Sequence, residues 1–175
     1  MSFLIFITGG ARSGKSKLAL QLAERAGGKV AFIATARAGD DEMAERILIH
    51  RKSRPKEWIT VEEPIDVPWA ISKAADHDLV IIDCLTLLLS NLMLDSSSLN
   101  ETGGILDKME DLVDASRNFK GTVIVVSNEV GMGIVPENEL ARKFRDLAGR
   151  ANQIMANAAD EVYLCVSGIP VKLKG

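Results

Sequence analysis

Phe3-Leu4-Ile5-Phe6-Ile7-Thr8 runs into Gly9-Gly10-Ala11-Arg12-Ser13-Gly14-Lys15-Ser16 and then into Lys17-Leu18-Ala19-Leu20-Gln21-Leu22-Ala23-Glu24-Arg25-Ala26. The middle stretch satisfies G-x-x-x-x-G-K-[ST] without a mismatch. Its flanks agree. An apolar run fit for a buried strand precedes it, and Leu18, Leu22 and Ala26 follow at the spacing of a helix face. Glycines let the backbone curl so that successive N–H groups converge on phosphate oxygens, and the helix N-terminus adds partial positive charge. In such a loop Lys15 reaches the β- and γ-phosphates and the Ser16 hydroxyl ligates magnesium. Arg12 either grips phosphate with its guanidinium fork or is simply solvated. Residues 9–16 therefore predict a site for the phosphates of a purine nucleoside triphosphate with Mg2+.

Moving outward, Lys29–Ala34, Leu79–Asp83 and Thr122–Ser127 repeat the pattern of Phe3–Thr8, short apolar runs without clean alternation. Buried parallel strands read this way. Helical periodicity fills Lys15–Ala26, Glu42–His50 and Leu140–Ala158, with Asp40 and Asp41 at the positive end of the second. Strands alternating with helices predict an α/β fold, a mostly parallel sheet flanked by helices. Glu161–Val166, then Gly168 and Pro170–Lys174, predicts a C-terminal antiparallel hairpin. Leu94–Gly104, rich in Ser, Asn and Gly, reads as a mobile loop.

The 175 residues fit a single domain, 1–175. Apolar residues make up 47 %, enough for a sizeable core, and charged residues 26 %. A net charge of −3 and a pI near 5.5 provide no global field for nucleic acid. Cys84 and Cys165, the only cysteines, make neither a disulfide framework nor a four-cysteine metal site, and both are expected reduced and buried. The N-terminal apolar run has no basic segment before it and is too short for a secretory signal or a membrane span. A cytoplasmic protein is expected.

Asp83 closes an apolar run, where an ionised carboxylate needs a partner. Magnesium or its waters would supply one; capping the next helix is the other reading. His50 stands among Arg51, Lys52 and Arg54, where phosphates are welcome. A neutral imidazole there can attack phosphorus and carry a phosphoryl or nucleotidyl group, or it can simply face the last carbonyls of its helix. His77, between Asp76 and Asp78, reads as a surface turn. Ser127–Pro136 follows a strand of the sheet, so Asn128 and Glu129 face substrate or water, or else shape an ordinary turn. Arg142, Lys143, Arg145 and Arg150 read as a solvated helix face.

Together Gly9–Ser16, Asp40–Met43, Arg46-Ile47, His50, Arg54-Pro55 with Trp58, and Asn128–Pro136 form a recognisable series. It continues with Phe144–Asp146, Gly149, Asn152-Gln153, Ala159–Val162 and Ser167-Gly168. The chain resembles, over nearly its whole length, the bifunctional adenosylcobinamide kinase / adenosylcobinamide-phosphate guanylyltransferase family of cobalamin biosynthesis. The Asn128–Pro136 segment is the most specific part of the likeness. The resemblance implies a RecA-like P-loop fold, a trimer, and two reactions. In the first, a nucleoside triphosphate, GTP or ATP, phosphorylates adenosylcobinamide. In the second, GTP donates GMP to the resulting phosphate through a guanylyl-histidine, here His50, giving adenosylcobinamide-GDP and pyrophosphate. Lys15 is the second catalytic residue. Nucleotide contacts implied by the likeness are Gly9–Ser16, Thr35, Ala36, Arg37, Lys52, Ser53, Arg54, Pro55 and Glu62, with Asp83 in reach; Ser16 and Asp83 are the implied metal ligands. Two departures stand out: some members have Glu in place of Asp83, and Leu85–Asn91 lacks a tryptophan often found there. A guanylyltransferase alone, another P-loop small-molecule kinase, and a nucleotide-sensing module are the competing readings.

Overall fold

A computed structural model describes residues 2–52, 54–95 and 102–175, the Arg46 side chain excepted. The order is β1 (Phe3–Gly9), α1 (Lys15–Ala26), β2 (Val30–Ala34), α2 (Asp41–Lys52), β3 (Ile59–Glu62), α3 (Val67–Lys73) and β4 (Leu79–Asp83). It continues through α4 (Leu85–Leu94), α5 (Thr102–Asn118), β5 (Thr122–Val126), α6 (Glu139–Ala158), β6 (Glu161–Val166) and β7 (Ile169–Lys174).

These strands form one sheet in the order β3-β2-β4-β5-β1-β6-β7. All neighbours pair in parallel except β6 and β7. β5 lies between the P-loop strand β1 and the Asp83 strand β4. Parallel strands covered on both faces need apolar side chains on both, which explains their unbroken runs. Leu4, Phe6, Ile33, Val80, Ile82, Val123 and Val125 face the helices α3 to α6. Ile5, Ile7, Val30, Phe32, Ile81, Ile124 and Val126 face the other way, with Ala19 and Ala23 of α1. Adjacent residues thus serve two cores, as the period of two requires.

The structure adds elements that periodicity alone does not reveal. Helix α3 begins after Asp66, whose carboxylate accepts the Trp69 N–H at 3.0 Å. β3 is a short edge strand beside β2. The expected loop over Leu94–Gly104 is corrected at both ends, since Leu94 closes α4 and Thr102–Gly104 open α5; residues 96–101 lie outside the described residues. Two features of the sequence explain the difference. α4 (LTLLLSNLML) is apolar almost all round and so lacks a polar face to count from, while paired glycines in the first turn of α5 imitate a loop. The hairpin forms as expected, with Ser167 and Gly168 both at positive φ (51° and 82°) in a two-residue turn and Val166 opposite Ile169. His77 is more covered than a surface turn implies, its side chain 11 % exposed and its Nδ1 2.8 Å from Asp76. No helix among the described residues is long and apolar enough to cross a membrane.

Candidate active site

β1 ends at Gly9, and the chain then curls through Gly10–Gly14 before α1 starts at Lys15. The curl is wedged in place. Gly9 sits at φ 149°, and a Cβ there would lie 2.4 Å from the Cys165 carbonyl oxygen of β6. Gly14 sits at φ 98°, where a Cβ would come 3.1 Å from Gly168 Cα. The Gly168 N–H donates to Ser13 O at 2.9 Å, and the Glu129 N–H donates to Gly9 O at 2.9 Å. The β6–β7 turn and the loop after β5 therefore buttress the P-loop from two sides.

Lys15 folds back over this curl. Its Nζ donates to Gly10 O at 2.6 Å and lies 3.4 Å from Ser13 Oγ. Burial lowers its pKa below the ordinary lysine value, against the pull of nearby Asp83. A phosphate entering the loop offers this desolvated cation a far better partner than a carbonyl.

Asp83, half-buried at the end of β4, precedes a cis peptide bond to Cys84. Thr35, at the end of β2, clamps that corner. Its Oγ1 donates to Cys84 O and accepts from Cys84 N–H, both at 2.8 Å, and its own N–H reaches Asp83 O at 3.2 Å. Asn91 of α4 in turn donates to Thr35 O at 2.8 Å and Pro64 O at 3.0 Å. Thr35 is fully buried and its hydroxyl is occupied, so it bears on the site through Asp83. Ala36 is half-buried and Arg37 exposed just beyond it.

Ser16, in the first turn of α1, and Asp83 offer one hydroxyl and one carboxylate. No cluster of three or more metal-ligating side chains exists among the described residues. That donor set suits Mg2+, which keeps its waters, takes phosphate oxygens, and needs only one or two protein oxygens.

A row of charge continues along the same sheet edge. The Arg54 guanidinium lies 3.6 Å over the Phe32 ring and its Nη1 donates to Thr60 Oγ1 at 3.2 Å. Burial lowers its pKa, and the Asp83 carboxylate pulls it back up. Asp83 thus lies in electrostatic reach of both Lys15 and Arg54. Glu62, at the end of β3, sits 3.4 Å from Arg51 Nη1. That pair brings the last turn of α2, with exposed His50 and Lys52, over the ends of β2 and β3. Pro55 is half-buried; Ser53 lies outside the described residues. No described side chain of α2 is buried, and Leu48 and Ile49 are 55 % and 59 % exposed.

A cleft of about 370 Å3 opens at the P-loop. Gly10–Ser13, Leu164–Ser167, Glu129 and Met132 line it. Sequence reasoning missed the β6–β7 turn as part of this site. It also missed a buried polar chain behind it, in which Asn128 Nδ2 meets Thr86 Oγ1 at 3.2 Å, Asn152 Nδ2 donates to Asn128 O at 3.3 Å, and Ser127 Oγ donates to Asn152 Oδ1 at 2.6 Å. Asn152-Gln153 and Ser167-Gly168 were visible as motifs, but no local pattern shows what they touch.

The model of the family described as "Cobinamide kinase / cobinamide phosphate guanyltransferase" matches residues 5–173. The chain belongs to this family. Gly9–Ser16, His50, Asp83 and Asn128–Pro136 all fall inside the matched span. Among family relatives, the bifunctional adenosylcobalamin biosynthesis protein CobU of Salmonella typhimurium is 44 % identical over 98 % of this chain and 99 % of its own. CobP of Pseudomonas aeruginosa, described in the same words, is 44 % identical over 97 % of this chain and 96 % of its own. CobU of Escherichia coli K12 is 42 % identical over 98 % and 99 %. Among solved structures, the RadB recombinase crystal structure is similar over 93 % of this chain and 73 % of its own, with a TM-score of 0.49 and 18 % identity.

Proposed function

We propose that this single-domain chain is a bifunctional enzyme of cobalamin biosynthesis. It phosphorylates adenosylcobinamide with GTP or ATP, then transfers GMP from GTP to adenosylcobinamide phosphate through a guanylyl group on His50. The observation that carries the reading is a shared sheet edge. The phosphate curl with Lys15 and the basic helix end with His50 both lie there, joined by the row Lys15, Asp83, Arg54, Glu62 and Arg51.

In the guanylyl step the unprotonated imidazole nitrogen of His50 attacks the α-phosphorus of GTP. A P–N bond forms, the bond to the bridging oxygen breaks, and pyrophosphate leaves with that electron pair. Lys15, Arg12 and the N–H groups of Gly10–Gly14 stabilise the departing oxyanions. A phosphate oxygen of the corrinoid then attacks the same phosphorus, the P–N bond breaks, and His50 is regenerated. Ser16 and Asp83 would hold Mg2+, which would supply charge neutralisation at the phosphates. Arg54 and its chain neighbours Lys52, Ser53 and Pro55, together with Glu62, bind the nucleoside side of GTP. Ala36 and Arg37 line the approach, while buried Thr35 holds the Asp83–Cys84 corner behind them.

β1 and β2 are three strand spacings apart, about 14 Å. The α2 end therefore swings inward for attack, a motion its lightly buried faces allow. The enzyme works in the cytoplasm as a trimer; the exposed apolar row Ile169, Val171 and Leu173 on edge strand β7 offers a surface for assembly.

The test uses α-labelled GTP with magnesium, followed by adenosylcobinamide phosphate. Label is expected first on the protein, in acid-labile form, and then on the corrinoid. His50→Ala protein that still trapped labelled GMP covalently would remove the histidine from the mechanism.

A further inference from the structure

Asn128–Pro136 is the most distinctive segment of the sequence, and the nucleotide chemistry above gives most of it nothing to do. Its backbone is held firmly. The Glu129 N–H reaches Gly9 O at 2.9 Å, Asn128 is tied to Thr86 and Asn152, and the Gly131 N–H donates to Glu129 Oε1 at 2.7 Å. From α6, Arg145 Nη2 donates to Gly131 O at 2.7 Å and Arg142 Nη1 to Pro136 O at 3.1 Å. Yet this tethered loop holds apolar side chains out to water: Met132 is 79 % exposed, Ile134 96 % and Val135 58 %. Apolar groups displayed from a fixed backbone mark a recognition surface.

The surface is continuous with the phosphate cleft, because Met132 lines that cleft together with Gly10–Ser13. Leu164 and Val166 of β6 add apolar lining to the same cleft. A cleft that combines an anion-binding loop, apolar lining and a neighbouring exposed apolar ledge fits a ligand with a phosphorylatable end and a broad apolar body. A corrinoid has that form, with ring methyl groups over the macrocycle faces and amides at its rim. Around Gly133 the position of a Cβ meets nothing within 4 Å, so the backbone is open to approach by such amides.

We infer that the Asn128–Pro136 loop is the acceptor platform, on which Met132, Ile134 and Val135 receive the corrin ring while its side arm enters the cleft toward the P-loop. The inference rests on the function proposed above and adds the residues that recognise the acceptor. Ile134 and Val135 are not among the residues that line the phosphate cleft, so donor chemistry is separable from acceptor binding.

The experiment is equilibrium dialysis of adenosylcobinamide, followed by its visible absorbance, against the full-length wild type, Ile134→Asp and Val135→Asp. Each variant is expected to raise the corrinoid Kd about tenfold or more. Self-labelling with α-labelled GTP should stay within about twofold of wild type, and the sedimentation coefficient should not change. Unaltered corrinoid affinity in both variants would overturn the platform. So would weakened GTP binding with corrinoid binding intact, which would make the ledge a nucleobase site. A shift in sedimentation would assign the loop to an interface between copies instead. Wild type that binds the corrinoid but takes no GMP label refutes the guanylyl mechanism and leaves the platform standing on the dialysis result.

Discussion

Lys15 shows how one side chain is prepared for a ligand before it arrives. Its ammonium is buried, with the Gly10 carbonyl as its nearest acceptor and its pKa lowered by desolvation. The folded chain therefore holds that proton less firmly than the unfolded chain, and folding costs something as long as the charge is present. As pH climbs toward the ordinary lysine value the folded form releases the proton first, so this residue's contribution to stability rises with pH. Lys15→Met should consequently melt no lower than wild type at neutral pH, and should lose that alkaline rise. The same substitution should cut kcat/KM for GTP by about 100- to 1000-fold, the loss expected on removing a main donor to a developing oxyanion. Thermal scans across pH and steady-state kinetics read the two effects separately. Gly9 and Gly14 are the complementary case, where the requirement is an absence of side chain, since Cys165 and Gly168 occupy the space a Cβ would need.

At the scale of elements, the strand ends are tied to one another by buried polar groups. Thr86, in the first turn of α4, receives the Asn128 amide at 3.2 Å and lies 3.2 Å from Cys84 Sγ, so it joins the end of β4 to the end of β5. Cys84 is in turn gripped by Thr35 from β2. The chain fixes Asp83 and the 128–136 loop relative to the P-loop without touching substrate, so Thr86 acts by positioning. Thr86→Val keeps the volume and removes the hydroxyl, leaving a buried amide without its partner at a cost of about 1–3 kcal/mol. We expect kcat to fall about tenfold with KM for GTP within about threefold, and Thr86→Ser to restore most of the rate. A merely destabilised fold would not give that split or that rescue. Helix α2 is the opposite kind of element, attached through its ends and half-buried at most. Its Asp40 cap, with Met43 N–H to Oδ1 at 2.7 Å, holds the near end while the His50 end stays close to solvent.

Over the whole molecule, one sheet places its chemistry along a single edge and leaves one flank uncovered. β7 carries Ile169, Val171 and Leu173 at 66 %, 48 % and 60 % exposure on a strand with one neighbour. An apolar edge strand invites pairing or coverage. Sedimentation equilibrium is expected to give a mass near three times 18.9 kDa, and a monomer at micromolar concentration would refute the trimer. The strands around the site, the helices flanking the P-loop and the terminal hairpin were legible because their signals are local: apolar runs, spacings of three and four, and a glycine motif with a fixed length. α4 and β3 were not, one because a helix buried on nearly all sides has no polar stripe, the other because a four-residue edge strand leaves too little pattern. By itself the sequence determined the phosphate-binding curl from Gly9 to Ser16, since that chemistry is written in contiguous residues. Only the tertiary structure decided that the 165–168 turn braces this curl, that Asp83 lies in electrostatic reach of both Lys15 and Arg54, and that the 128–136 loop opens onto the same cleft. Those contacts join residues far apart in the chain, and strand order, which no local pattern encodes, is what brings them together.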